Sequence, residues 1–288
     1  MSIAEPQAFL VEPLVRAALA EDLGRAGDLT TDSIVPGDAA ARGVLNARKP
    51  GVVAGLGAAE MAFRLLDPDV RFDVERADGS TVGANDPIAT VSGRARALLT
   101  AERVALNFLC HLSGIATATR EIVEAVRGHR ARIACTRKTT PGLRLLEKYA
   151  VRVGGGVNHR FGLDDGVLLK DNHIVVAGGI RAAVEKAKAT LGHMVKIEVE
   201  VDRLDQIGEA LAAGADAILL DNMTPAQMRE AVAVIGGRAI TEASGRITRE
   251  TAPAIAATGV DVISCGWITH SAPILDIGLD FEATAARP

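Results

Sequence analysis

Three cationic clusters lie close together in the middle of the chain: Cys135-Thr136-Arg137-Lys138-Thr139-Thr140-Pro141-Gly142, Asn158-His159-Arg160, and Leu168-Leu169-Lys170-Asp171-Asn172-His173. An arginine offers a planar fork of donors that matches a carboxylate, and a lysine offers a compact point charge suited to phosphate. The pair Arg137-Lys138 therefore points to two kinds of anionic group. The whole chain carries a formal net charge of -4, so these cations are not a polybasic surface for nucleic acid. They read as a pocket for a small, highly charged anion.

Other residues at the ends of apolar runs extend that pocket. Lys170 closes the run Gly166-Val167-Leu168-Leu169, which places it at a buried strand end. There it could be a cation for substrate oxygens, a Schiff-base lysine, or the partner of Asp171. Glu198 and Glu200 alternate with Ile197, Val199 and Val201, so both carboxylates share one face, the interior in a small barrel. Buried acids need cations. Glu200 with Asp221, at the end of the next run, could hold hydrated magnesium, which takes one or two carboxylates and keeps several waters; an ion-pair network is the competing reading. Ser244-Gly245 and Cys265-Gly266 end the last two runs, where glycine lets a backbone approach a phosphate closely.

These residues need a scaffold that brings strand ends together. From Gly128 onward, short apolar runs at 131–135, 166–169, 195–201, 217–220, 238–240 and 260–263 alternate with amphipathic stretches at 179–191, 203–213, 225–235 and 250–258. This is the pattern of βα units, whose catalytic groups collect at the carboxyl ends of the strands. Thr224 before Pro225, and Thr248 before Glu250, are helix-start signals. Residues 44–91 instead show glycine-rich, short alternating runs, followed by a helical pattern from Ala97 to Val126. The expected organisation is an N-terminal α/β domain over 1–113 and a barrel domain over 114–270, with the tail from 271 to 288 packing back on the first domain.

Composition narrows the function classes. Aromatic residues are 3% of the chain, too few for the stacking platforms of a single-strand nucleic-acid binder. No apolar run approaches the roughly 20 residues that span a bilayer, and Met1 to Leu19 lacks the layout of a signal peptide. Cys110, Cys135 and Cys265 are odd in number and widely spaced, which predicts reduced, buried thiols and a cytoplasmic protein. His111 and His173 have no partner at metal-ligand spacing, Gly154-Gly155-Gly156 reads as a connection, and Tyr149 and Trp267 read as packing residues.

Taken in order, Thr136-Arg137-Lys138-Thr139-Thr140-Pro141-Gly142, Asn158-His159-Arg160, Lys170-Asp171-Asn172-His173, Ile197-Glu198-Val199-Glu200-Val201, Leu219-Leu220-Asp221-Asn222 and Glu242-Ala243-Ser244-Gly245 resemble the quinolinate phosphoribosyltransferase family. The likeness extends forward to Gly27-Asp28-Leu29-Thr30-Thr31 and Glu102-Arg103-Val104-Ala105-Leu106-Asn107, nearly the whole length. The resemblance implies an incomplete, open α/β barrel with an N-terminal α/β sandwich domain. It implies transfer of a phosphoribosyl group from phosphoribosyl pyrophosphate to quinolinate with decarboxylation, giving nicotinate mononucleotide for NAD biosynthesis, with Mg2+. Carried onto matching positions, Arg137, His159, Arg160 and Lys170, with Thr136 nearby, would hold the quinolinate carboxylates. Lys138, Glu200 and Asp221 would handle the donor and its magnesium, and Ser244, Gly245 and Gly266 the 5′-phosphate. Arg103 would reach the active site of the neighbouring subunit, so a homodimer is expected. Arg246 departs from the family pattern, standing where a small or uncharged residue is common.

Overall fold

The computed structural model describes residues 3–282; the last part of the expected tail, 283–288, lies outside the described residues. In chain order the elements are α1 (Ala8–Leu23), α2 (Leu29–Ile34), β1 (Ala40–Ala47), β2 (Gly51–Val52), α3 (Leu56–Leu66), β3 (Arg71–Val74), β4 (Thr81–Val82), β5 (Pro87–Arg94), α4 (Ala95–Ala125), β6 (Arg132–Ala134) and α5 (Arg144–Val153). They continue with β7 (Val167–Leu169), α6 (Asp171–Ala177), α7 (Ile180–Thr190), β8 (Ile197–Val201), α8 (Asp205–Ala213), β9 (Ala217–Asp221), α9 (Pro225–Ile235), β10 (Ile240–Ser244), α10 (Ala252–Ala256), β11 (Val262–Ser264), α11 (Trp267–His270) and β12 (Ile277–Glu282). Two compact units result. Among the described residues, one comprises 3–120, 140–155 and 271–282, the other Glu121–Thr139 and Gly156–His270.

The first unit is built on an antiparallel sheet in the order β12-β1-β5-β3. Along β1, Gly43, Leu45 and Ala47 are buried while their neighbours face outward, the period of two that a half-buried strand requires. The tail returns as β12, which pairs with β1 from Arg42↔Glu282 to Ala47↔Ile277. Residues 140–155 group with this unit, although a boundary at 113/114 assigns them to the barrel. Polar bonds of α5 supply the reason. The Tyr149 hydroxyl donates to Asp78 Oδ2 at 2.8 Å, and the buried Glu147 carboxylate takes His111 Nε2 at 2.8 Å and the Thr140 N–H at 3.1 Å. Arg120 donates to the carbonyls of Gly154 and Val153. Tyr149 is thus more than packing: burial, then the nearby Asp78 carboxylate, raise its phenol well above the ordinary value, so it stays a donor.

The second unit is a six-stranded, all-parallel sheet in the order β6-β11-β10-β9-β8-β7. Strands β7 to β11 follow chain order and the last pairs with the first, the winding of an α/β barrel, while β6 and β7 are not paired. The barrel is therefore open at one seam. The run at 225–235 becomes α9 as expected: the Thr224 hydroxyl accepts from the Gln227 N–H at 3.3 Å, the Gln227 side chain accepts from the Thr224 N–H at 2.9 Å, and Pro225 occupies the first turn, where its missing N–H costs nothing.

Two expectations shift. β10 starts at Ile240 rather than Arg238 and continues through Glu242 to Ser244, because the polar side chains there face the barrel interior. α10 covers only Ala252–Ala256, and Thr248 instead gives its carbonyl to the Ala252 N–H at 2.9 Å. Pro253 is tolerated only in a first turn, so it fixes where this helix can begin. All three cysteines are buried and none forms a disulfide among the described residues, and no helix among the described residues is long and apolar enough to cross a membrane.

Candidate active site

The carboxyl ends of the second unit's strands surround a cavity of about 770 Å³. Alternation carries the residues inward in pairs: Leu168 and Lys170 from β7 and its end, Leu219 and Asp221 from β9, Glu242 and Ser244 from β10. Glu200 lies level with Leu219, Leu219 with Glu242, and Asp221 with Ser244 in the parallel register. Thr136, Arg137 and Lys138 enter from the end of β6, and Gly266 from the end of β11. Of the twelve positions named from the sequence, eleven line this one cavity: Thr136, Arg137, Lys138, His159, Arg160, Lys170, Glu200, Asp221, Ser244, Gly245 and Gly266. The twelfth, Arg103, is exposed on α4 in the first unit.

Lys170 differs from its expected setting. It is exposed, because β7 is an edge strand of the open barrel and its three residues are only half-buried. The Lys170 charge acts on Glu200. Burial raises the Glu200 carboxyl above its ordinary value, Lys170 opposes that, and Asp221 adds to it. Two carboxylates crowded at adjacent strand ends, with one cation nearby, form a place where a divalent cation would relieve repulsion.

On the opposite sign, Arg137 stands close enough to Arg160 to act on its charge. Burial, and then Arg137, lower the Arg160 guanidinium below its ordinary value. Arg160 Nη1 donates to the Gly166 carbonyl at 2.9 Å. Two partly desolvated guanidiniums side by side make a receptor for paired carboxylates.

His159 links the cations to buried acids. Its Nδ1 accepts the Arg160 backbone N–H at 2.7 Å, so Nδ1 carries no proton and Nε2 does in the neutral ring. Nε2 donates to Glu198 Oε2 at 3.0 Å and lies 3.5 Å from Glu242 Oε1. The ring thus fixes the main chain at Arg160, and both nitrogens are engaged; any contact to substrate must exchange one of these bonds. Glu242 is buried, and burial first, then the Glu198 charge, push its carboxyl up to about 7. Glu198, Glu242 and His159 could also ligate a cation; the Nε2 proton goes to Glu198 and leaves the buried Glu242 Oε1 without a hydrogen-bond partner among the described residues, but magnesium prefers an all-oxygen set.

Two glycines are needed for the shape of the cavity. Gly245 has φ +112, and a β-carbon there would strike the Asn222 side chain, 2.8 Å from its Cγ. At Gly266 a β-carbon would sit 2.9 Å from Lys138 Cδ. Glu242 stands in the Glu242-Ala243-Ser244-Gly245 motif without a role assigned to it, and its alternation with Ser244 is the signal in the sequence that it faces the cavity. Trp267, read as packing, lines the cavity and donates Nε1–H to the Ile247 carbonyl at 2.9 Å.

Family models of quinolinate phosphoribosyl transferase match the chain over residues 28–113 for the N-terminal domain and 115–280 for the C-terminal domain. The chain belongs to the quinolinate phosphoribosyltransferase family. Among curated members, it is 48% identical over 260 residues to a Bacillus subtilis protein described as a probable nicotinate-nucleotide pyrophosphorylase (carboxylating), covering 90% of this chain and 89% of that one. It is 46% identical to the Mycobacterium leprae nicotinate-nucleotide pyrophosphorylase (carboxylating), covering 92% and 95%. Among solved structures of the family, the nicotinate-nucleotide pyrophosphorylase from Francisella tularensis superposes with a TM-score of 0.93 at 40% identity, covering 98% of this chain and 99% of that one. The open barrel and its sandwich-type companion are thus the family architecture.

Proposed function

We propose that this quinolinate phosphoribosyltransferase family member joins quinolinate to phosphoribosyl pyrophosphate and releases carbon dioxide, giving nicotinate mononucleotide and pyrophosphate. The observation that carries the reading is one cavity lined both by two neighbouring guanidiniums and by a Lys170-Glu200-Asp221 group. Quinolinate brings two carboxylates, and the donor brings a phosphate and a pyrophosphate, so one site must bind several anions while tolerating a cationic ribosyl centre.

Arg137 and Arg160 take the carboxylates, with Lys170 and Thr136 beside them and His159 fixing the Arg160 backbone. Lys138 stabilises the charge that develops on departing pyrophosphate. The bond from the anomeric carbon to pyrophosphate breaks and the bond to the quinolinate ring nitrogen forms. The carbon–carbon bond to the adjacent carboxylate then breaks, its electron pair is stabilised by the cationic ring nitrogen, and the ring carbon takes a proton. No residue is assigned as a dedicated acid or base for that loss of carbon dioxide. The raised Glu200 carboxyl, with Asp221 beside it, supports a magnesium ion held by these two carboxylates; bound there, the ion would supply Lewis-acid stabilisation to diphosphate oxygens. Ser244, Gly245 and Gly266 offer backbone and hydroxyl donors to the 5′-phosphate. Arg103, exposed on α4, is proposed to complete the site of a second copy in a homodimer. Three reduced thiols suit a cytoplasmic protein.

The test is turnover of quinolinate with phosphoribosyl pyrophosphate and magnesium, with nicotinate as a parallel acceptor and Lys138→Ala as control. Nicotinate mononucleotide and carbon dioxide from quinolinate alone, lost in the control, are expected; turnover of nicotinate alone would overturn the assignment.

A further inference from the structure

Arg246 follows Gly245 in the loop after β10 and lines the cavity beside Ser244, Gly245 and Gly266. Its backbone has φ +48, a conformation that glycine adopts freely and that a long side chain adopts at a cost. The loop cannot easily relax out of it. On one side the Asn222 N–H donates to the Ser244 carbonyl at 2.9 Å; on the other, Trp267 Nε1–H holds the Ile247 carbonyl. No hydrogen bond or ion pair engages the exposed Arg246 guanidinium among the described residues. A free cation therefore stands on an anchored, unfavourable backbone at the mouth of the cavity, and no contact within the fold accounts for it.

Resting on the function proposed above, we propose that Arg246 is an additional clamp for the phosphomonoester end of the phosphoribosyl donor. The neighbouring residues define which end. Gly245 and Gly266 have no side chains, and Ser244 offers a hydroxyl, so this corner presents donors without bulk; an arginine fork adds bidentate hydrogen bonds and charge to the same phosphate. Because that phosphate does not react, the contact is equal in ground and transition states and appears in KM rather than kcat.

Two variants separate charge from backbone. Arg246→Ala removes the cation and keeps a side chain in the unfavourable conformation, whereas Arg246→Gly removes the cation and relieves the backbone. Both are expected to raise KM for phosphoribosyl pyrophosphate about tenfold, the loss of a charge-assisted hydrogen-bonded pair at an open site, with KM for quinolinate and kcat unchanged. Both are expected to weaken competitive inhibition by ribose 5-phosphate in the same proportion while leaving that by pyrophosphate alone, and Arg246→Lys to fall between them and the wild type. Arg246→Gly alone is expected to melt higher than the wild type. A donor KM within twofold of wild type in both variants overturns the clamp. A wild type without quinolinate turnover refutes the proposed reaction instead, and calorimetric binding of ribose 5-phosphate, unchanged on Arg246→Gly, would then be the result that overturns the clamp.

Discussion

Glu242→Gln tests the buried acid pair through stability. Glu242 is 5% exposed, and its carboxyl is pushed from the ordinary glutamate value of 4.5 to about 7 by burial and then by Glu198, with His159 opposing. Below pH 4.5 the folded and unfolded chains both hold this proton. As pH rises from 4.5 toward 7 the unfolded chain releases it while the folded chain keeps it, so the folded state binds more protons and stability falls with pH. Above about pH 7 both are ionised and the loss is complete. At about 1.36 kcal/mol per tenfold change in proton affinity, the gap sets a ceiling of roughly 3 kcal/mol. Interaction of Glu242 with its neighbours spreads the effect beyond one group, which reduces the expected change to about 1–2 kcal/mol. Glutamine imitates the protonated acid in shape and does not titrate. Urea unfolding at constant ionic strength from pH 4.5 to 8 should show the variant gaining that amount relative to wild type. Curves that stay parallel over the whole range would refute the raised proton affinity of Glu242 and the pairing that causes it.

Two further perturbations follow from single contacts. Asp78 accepts the N–H groups of Gly55 and Leu56 at the start of α3 together with the Tyr149 hydroxyl, so Asp78→Ala should cost about 2–4 kcal/mol in denaturant unfolding and Tyr149→Phe only about 1 kcal/mol. Gly266→Ala places a β-carbon 2.9 Å from Lys138 Cδ, the flexible part of a side chain that can move aside. The melting temperature should change little while kcat/KM falls about tenfold or more, because the displaced ammonium no longer meets the departing group.

Much of the second unit is legible in the sequence because its strands and helices are local. The period of two in 197–201 and the capped, proline-started pattern at 225–235 specify β8 and α9 without reference to anything distant. The clustering of eleven named residues follows in turn, since strand ends of a parallel sheet share one rim. The first unit's hold on residues 140–155 is not legible: Asp78 and Tyr149 lie far apart in the chain, and neither sits in a periodic pattern that announces the other. Lys170 shows a further limit, as four preceding apolar residues read as a buried strand, and only the unpaired seam between β6 and β7 makes β7 a half-exposed edge.

The link from Glu242 to His159 is information that no single strand holds. Glu198 and Glu242 lie on β8 and β10, which β9 separates in the sheet, and strands two apart are about 10 Å from each other. Two long glutamate side chains close that gap, and both carboxylates come within 3.5 Å of the same imidazole nitrogen. Alternation tells which face each glutamate takes, but no pattern in either strand places His159 between them. The convergence has a chemical consequence: Nε2 is held against two acids while Nδ1 holds the backbone of Arg160. A substitution at Glu242, to which the proposed function gives no substrate contact, should therefore be felt at the carboxylate receptor through His159 and the Arg160 backbone.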